Sequence, residues 1–340
     1  MEIAKERISK WTFGSLDLSF LELTELPELP ADVNELYCDN NRLTKLPDTL
    51  PKGLTVLHCQ NNSLTKLPDI LPFTLKELNC EFNQLTKLPD TLPGTLISFD
   101  CGNNKLTKLP DTLPESIRHL YCPCNFLTTL PDTLPMSLTT LNCEQNCIHT
   151  LPEKLPMDLT VLFCQRNCLT QLPNTLPAGL IYLSCYSNQL TTLPGMLPTT
   201  IQRLICYDNC LTTLPEKLPV GLTMLDCFEN RLTTLPNTLP VTLTLINCDC
   251  NLLTTLPDTL PAALITLNCC RNRLTRLPDM LPNGLKFLSC TDNHLVRFPD
   301  TLPTGLTVLN SAYNNLPKYK YQESIHDYIA RVNAIAECAS

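Results

Sequence analysis

Apolar positions along this chain recur in one order every 21 residues, and residues 138–158 display the order in full. Leu138, Leu141 and Cys143 come first, Asn146 follows, and Ile148, Leu151 and Leu155 complete the set, with Pro152 and Pro156 each directly after a leucine. The pattern keeps its register through thirteen cysteines, Cys38 first and Cys290 last, without one insertion or deletion. A fixed period of this length marks a solenoid, a stack of like supersecondary units. The alternation around Leu141 and Asn142 predicts a short strand with Leu138, Leu141 and Cys143 turned inward. Proline fixes φ and pushes the preceding residue out of the helical region, so the second half of each unit is expected to be extended and polyproline-like. The predicted fold is a β-rich solenoid. A parallel β-sheet lines its concave face and extended segments form its convex face.

No unit of this size buries enough apolar surface to stand alone, so both ends need covers. Residues 2–11 predict a short helix with Ile3, Ile8 and Trp11 along one side. An atypical first unit follows, with Leu16, Leu18, Leu23 and Leu26, and with Leu21 where later units carry asparagine. After Leu316 and Pro317, helical spacing of Ile325, Tyr328, Ile329, Val332 and Ile335 predicts an amphipathic helix over the last coil. The expected organisation is an N-terminal cap at 1–32, fourteen repeats at 33–317 with the last one partial, and a C-terminal capping helix at 318–340.

Fourteen asparagines, Asn41 first and Asn314 last, hold one repeat position. A buried amide must satisfy its donors and its acceptor, and neighbouring loop backbones are the groups always in reach. They are therefore expected to form a hydrogen-bonded ladder. The thirteen in-register cysteines continue the inward leucines of each repeat, and are expected to be buried, reduced, structural thiols. Strands lie roughly 4.8 Å apart, wider than the ~3.8 Å between Cβ atoms that a disulfide prefers.

The Leu-Pro-x-x-Leu-Pro units, combined with Leu-x-x-Leu-x-Cys-x-x-Asn-x-Leu, resemble the short bacterial class of leucine-rich repeat. Residues 37–47, Tyr-Cys-Asp-Asn-Asn-Arg-Leu-Thr-Lys-Leu-Pro, are most similar to leucine-rich repeat proteins of giant viruses. The resemblance covers about residues 16–317. It implies a horseshoe whose outward strand positions form the concave face. Some effectors of the class carry a C-terminal ubiquitin-ligase domain with a catalytic cysteine. Here Cys338 is third from the end, and the resemblance points instead to ligase-free effectors, which act by binding host proteins.

Composition changes the picture in three places. The chain has 30 prolines, and thirteen pairs four residues apart belong to the repeat, so proline does not signal disorder. A net charge of −8 without a basic face argues against nucleic acid as a partner. No apolar stretch is long enough to span a membrane, and the charged first residues do not read as a secretory signal. The expected location is cytoplasmic, a host's cytoplasm if the protein is viral or a secreted effector.

Candidate chemistry is confined to surfaces. Phe163, Tyr182, Tyr186, Ile205, Tyr207, Met224 and Phe228 occupy outward positions in repeats seven to ten, where most repeats carry small polar residues. Tyr186, Tyr207 and Phe228 share one position and should stack roughly 4.8 Å apart. Aromatics and methionine are enriched at interface cores, which makes this the predicted partner-binding patch, with Arg203, Asp208, Asp226 and Glu229 as its rim. The same side chains would also pack on one another to stabilise the sheet. Tyr37, His58, Phe82, His119 and Tyr121 form a second, scattered group.

Lys45, Lys66, Lys87 and Lys108 run beside Asp48, Asp69, Asp90 and Asp111, an arrangement expected to keep that side solvated. The off-register cysteines, Cys124, Cys147, Cys168, Cys210, Cys250 and Cys270, offer no convergent set of four ligands. His58, His119, His149, His294 and His326 lie in distant units without a nucleophile and an orienting acid. No enzyme activity, cofactor or metal is expected. The expected function is protein–protein interaction on the concave face. The alternatives are a passive structural or virion component and a substrate adaptor for a ubiquitin ligase acting in trans.

Overall fold

The computed structural model describes residues 1–318 and 323–339, without the side chains of His326 and residues 336–339. Cys338 and His326, both singled out from the sequence, have side chains outside that description. The same holds for residues 319–322 and 340 of the expected C-terminal cap. Two compact units divide the chain, Met1–Leu169 and Thr170–Ser340.

The first unit opens with α1 (Glu2–Lys10) and continues through β1 (Gly14–Asp17), β2 (Val33–Tyr37), β3 (Val56–His58), β4 (Glu77–Asn79), β5 (Ser98–Asp100), β6 (His119–Tyr121), β7 (Thr140–Asn142) and β8 (Val161–Phe163). Each strand pairs in parallel with the next in the chain, and from β3 onward the middle residues align as Leu57, Leu78, Phe99, Leu120, Leu141 and Leu162. The second unit holds β9 (Tyr182–Ser184), β10 (Arg203–Ile205), β11 (Met224–Asp226), β12 (Leu245–Asn247), β13 (Thr266–Asn268), β14 (Phe287–Ser289) and β15 (Val308–Asn310), then α2 (Ile325–Ala339). These seven strands also pair in parallel in chain order. One residue per three-residue strand turns inward, because alternate side chains in a strand point to opposite faces. Each unit is thus a solenoid of strand, turn and return segment.

The return segments contain no helix among the described residues. The carbonyl of each second proline accepts the N–H three residues on, as from Leu138 to Pro135 at 3.0 Å and from Leu222 to Pro219 at 3.0 Å, and so turns the chain into the next strand. A hydroxyl ladder backs this turn. Thr74 Oγ1 donates to the carbonyls of Lys52 at 3.0 Å and Leu54 at 2.7 Å, and Thr95, Ser116, Ser137, Thr200 and Thr242 do the same one coil back.

Inside the coils, all thirteen ladder cysteines are fully buried thiols. Burial pushes the thiol pKa values of Cys38, Cys59 and Cys101 far up, and those of Cys143 and Cys290 to about 12. Several donate weakly to a carbonyl in the adjacent coil, as Cys248 does to Asn268 at 3.2 Å. The asparagine ladder forms as expected. Asn83 Nδ2 donates to the carbonyls of Cys59, Cys80 and Glu81 at 3.0, 3.1 and 3.2 Å, and its Oδ1 accepts the N–H of Leu64 at 2.9 Å. At the start of the stack, where Leu21 stands in for asparagine, Asn41 Oδ1 accepts two N–H groups, from Leu21 and Leu23. One interruption of the repeat explains itself. A Cβ on Gly102 would lie 2.8 Å from Pro123 Cγ, so the off-repeat Pro123 requires glycine one coil back.

The caps hold with one correction. On α1 it is Ala4 that is buried, while Ile3 is exposed and Ile8 and Trp11 are half-buried. The small alanine is the face that meets the first coil, and Trp11 works at the helix end by donating from Nε1 to the Ser15 carbonyl at 3.1 Å. On α2, Tyr328, Ile329 and Val332 are buried and Ile335 is exposed. Ser324 caps the helix through the Asp327 N–H at 3.1 Å, and Asn333 Oδ1 accepts the Phe298 N–H at 3.0 Å.

Candidate functional site

Three columns of side chains reach outward along the strands of the second unit. Tyr182, Arg203 and Met224 align in the first; Ser184, Ile205 and Asp226 align in the second. Between them, Leu183, Leu204 and Leu225 turn into the core and are fully buried. The third column follows the buried cysteine and carries Tyr186, Tyr207 and Phe228. Their rings stack face to face, with centroids 4.2 Å apart at 12° for the first pair and 4.5 Å at 21° for the second. These separations follow the strand spacing of roughly 4.8 Å.

The bases of the rings are fixed. Ladder asparagines hold the ring residues' carbonyls, Asn188 that of Tyr186 at 3.2 Å, Asn209 that of Tyr207 at 3.1 Å and Asn230 that of Phe228 at 3.2 Å. The residues directly after the rings, Ser187, Asp208 and Glu229, are left-handed, with φ of 49°, 51° and 54°. Every repeat has a left-handed residue here, among them Phe82, Arg166 and Tyr313, side chains that gain nothing from that region. The sequence carries only a faint signal of it, the asparagines at 40, 61 and 103.

Six of the seven predicted patch residues therefore lie in the second unit, all half-buried, and Phe163 ends β8 in the first unit, also half-buried. The second, scattered group divides. Tyr37 and His58 meet edge to face at 4.9 Å, and His58 Nε2 lies 2.8 Å from Glu77 Oε1. Phe82 is exposed in a left-handed turn, while His119 and Tyr121 sit two residues apart on β6.

Two features were not anticipated from the sequence. Ile70 and Phe73, 82% and 73% exposed, flank a groove of about 640 Å³ on the return side, beside Lys52, Lys66 and Asp69. The strand face also carries carboxylates that burial disfavours. Desolvation lifts Asp100 to about 6 against the opposing Gly102 N–H, with Glu81 adding to the rise. Burial also raises Asp226 and Asp249. Among the described residues, no three histidine, cysteine or acidic side chains are grouped to hold a metal. No described helix is long and apolar enough to cross a membrane.

No protein-family model matches the chain, and no curated protein does. Solved structures do. YopM of Yersinia pestis, described as a leucine-rich effector protein, is 34% identical over 92% of this chain and 93% of its own, with a TM-score of 0.75. The functional domain of InlJ from Listeria monocytogenes, described as including a cysteine ladder, is 27% identical over 83% of this chain and 68% of its own, at 0.70. A leucine-rich repeat protein of Leptospira interrogans shares the fold at 0.80, with 24% identity over 97% and 96%. With its buried cysteine and asparagine columns and its likeness to YopM over nearly the full length of both, the chain belongs to the leucine-rich repeat proteins.

Proposed function

We propose that this protein is a non-enzymatic, effector-like binding module that holds a protein partner on its strand face, in the cytoplasm where that partner resides. The observation that carries this reading is the ring stack of Tyr186, Tyr207 and Phe228, with Tyr182, Ile205 and Met224 on the same face. Solvated strand faces favour small polar side chains, and half-exposed aromatics cost hydration unless something covers them. Backbone carbonyls pinned by the asparagine ladder hold the rings in place before any partner arrives, which lowers the ordering cost of association. The likeness to an effector supports the role and leaves the partner to be found.

The test is affinity capture from lysate of candidate host cells, wild type beside the Tyr186→Ala/Tyr207→Ala/Phe228→Ala variant. A protein held by wild type and lost by the variant is the expected outcome. The rings also stabilise one another by about 0.5–1.5 kcal/mol per pair, so the variant's melting curve must show that it is folded. Equal capture by both chains would remove the site from this face. Capture of nothing by either would favour a passive structural array.

A further inference from the structure

Carboxylates outnumber cations on the strand face of the second unit around the rings, four against Arg203 and Arg271. Asp208 and Glu229 are exposed directly after Tyr207 and Phe228, Asp226 closes β11, and Asp249 holds the position of Phe228 one coil on. Arg203 is the one cation beside Tyr182 and Met224 in the first column. Among the described residues, no ion pair involves Asp226 or Asp249.

Asp226 is the least compensated of these groups. Its Oδ1 is buried without a hydrogen-bond partner, although the carboxylate as a whole is only half-buried. The Phe228 N–H and the Asn247 side chain stabilise the charged form, but Asp249 raises its pKa further. Asp249 in turn accepts the Cys270 N–H at 2.5 Å, and Arg271 also favours its charged form, yet burial still leaves its pKa raised. Two like charges are thus held side by side at the end of an apolar ring stack. Nothing in the fold requires this, because neighbouring repeats use neutral asparagine in the column of Asp226, at Asn247 and Asn268. A cation brought to the solvent edge of this pair relieves both desolvation and repulsion.

Resting on the protein-binding reading above, we infer that this face is built for a cationic peptide segment of the partner. An Arg or Lys side chain would lie against Asp226 and Asp249, and an apolar residue beside it would lie against Tyr186, Tyr207 and Phe228.

A displayed library of random dodecapeptides, panned on the full chain, tests the inference without knowledge of the natural partner. The expected winners carry Arg or Lys next to an aromatic or aliphatic residue and lose affinity to the ring-stack triple variant. Their affinity for an Asp226→Asn/Asp249→Asn chain falls about tenfold or more, since truncating one side of a desolvated charge pair is costly. Affinity of the wild type for the same synthetic peptides also falls as salt rises from low to high, a readout that needs no variant to fold. Winners that need the rings but are neutral or acidic, or that bind the double Asn chain equally well, overturn the inference and leave the protein-binding reading intact. Winners indifferent to the ring variant, or no winners at all, overturn both.

Discussion

The interior columns and the strand face of this solenoid are built under opposite rules. Inside, one position is cysteine thirteen times and another asparagine fourteen times, and the amides that line the coils have their backbone partners. Outside, the column next to the cysteines runs through Asp100, Tyr121, Asn142 and Phe163 in four consecutive coils, and one member of it, Asp226, keeps an orphaned oxygen. The inner columns serve backbone groups that are the same in every coil, so one side chain answers all of them. The outer columns meet solvent, where the fold accepts many answers and some poor ones. Poorly solved outer positions are therefore the places to look for function.

The sharpest way to break this contrast is to remove one inner amide. Asn146 Nδ2 donates to the carbonyls of Cys122, Cys143 and Glu144 at 3.0, 3.1 and 3.1 Å, and its Oδ1 accepts the Leu127 N–H at 3.0 Å. Asn146→Ala orphans a buried N–H and leaves a void, with an expected loss of about 2–4 kcal/mol. Thr140→Ala, on the outer face of the same repeat, should stay within about 0.5 kcal/mol. Urea unfolding midpoints for the two variants compare the columns directly, and equal shifts would end the distinction.

Much of the inner architecture was legible because it is periodic. Strand centres, the buried cysteines and the asparagine bonding all follow from residues that recur every 21 positions. What escaped was of three kinds. The left-handed turn is a backbone property shared by side chains as unlike as Phe82, Arg166 and Asp292, so composition hides it. The hydroxyl ladder is interrupted, with Gly179 and Gly221 where Thr200 and Thr242 stand in neighbouring coils. The buried residue of α1 is hidden for a third reason: side-chain size points to Ile3, whereas close contact with the first coil favours the smaller Ala4. At the candidate site, the aromatic column could be read from the sequence. The shifted carboxylates could not, since their cost depends on how deeply each is desolvated.

That cost gives a second, smaller effect. Asp100 Oδ1 accepts the Gly102 N–H at 2.9 Å, and the same bond is made in other coils by Asn79 to Glu81 and Asn142 to Glu144, both at 3.0 Å. Asp100→Asn keeps the acceptor and removes the charge. Because burial lifts the folded pKa to about 6, above the unfolded value, the folded state binds more protons between these two values. Wild-type stability therefore rises as pH falls from about 6 toward about 4 and is lowest above 6. The variant should be more stable than wild type by about 1–2 kcal/mol at pH 7.5, after allowance for partial exposure, and no more stable at pH 4. Melting curves at the two pH values decide it, and a pH-independent difference would mean that charge is not the cause.

The smallest effect concerns the turn that follows the outer column. Phe82 has a φ of 50° and an exposed ring, while its counterparts in the two preceding coils are Asn40 and Asn61, at 52° and 54°. Left-handed geometry costs an ordinary L-residue roughly 1–2 kcal/mol, and asparagine bears it more easily. Phe82→Asn should raise stability by about 0.5–1 kcal/mol, and the reverse exchange, Asn61→Phe, should lower it by a similar amount. The N–H of Phe82 bonds the Gly102 carbonyl at 3.1 Å, and that of Asn61 bonds the Glu81 carbonyl at 3.1 Å, so neither exchange removes a backbone bond. Opposite signs would show that the outer turn carries strain that the repeat tolerates for the sake of surface variety. Losses in both directions would show instead that Phe82 is held by its neighbours, and that the N-terminal face, like the interior, answers to packing.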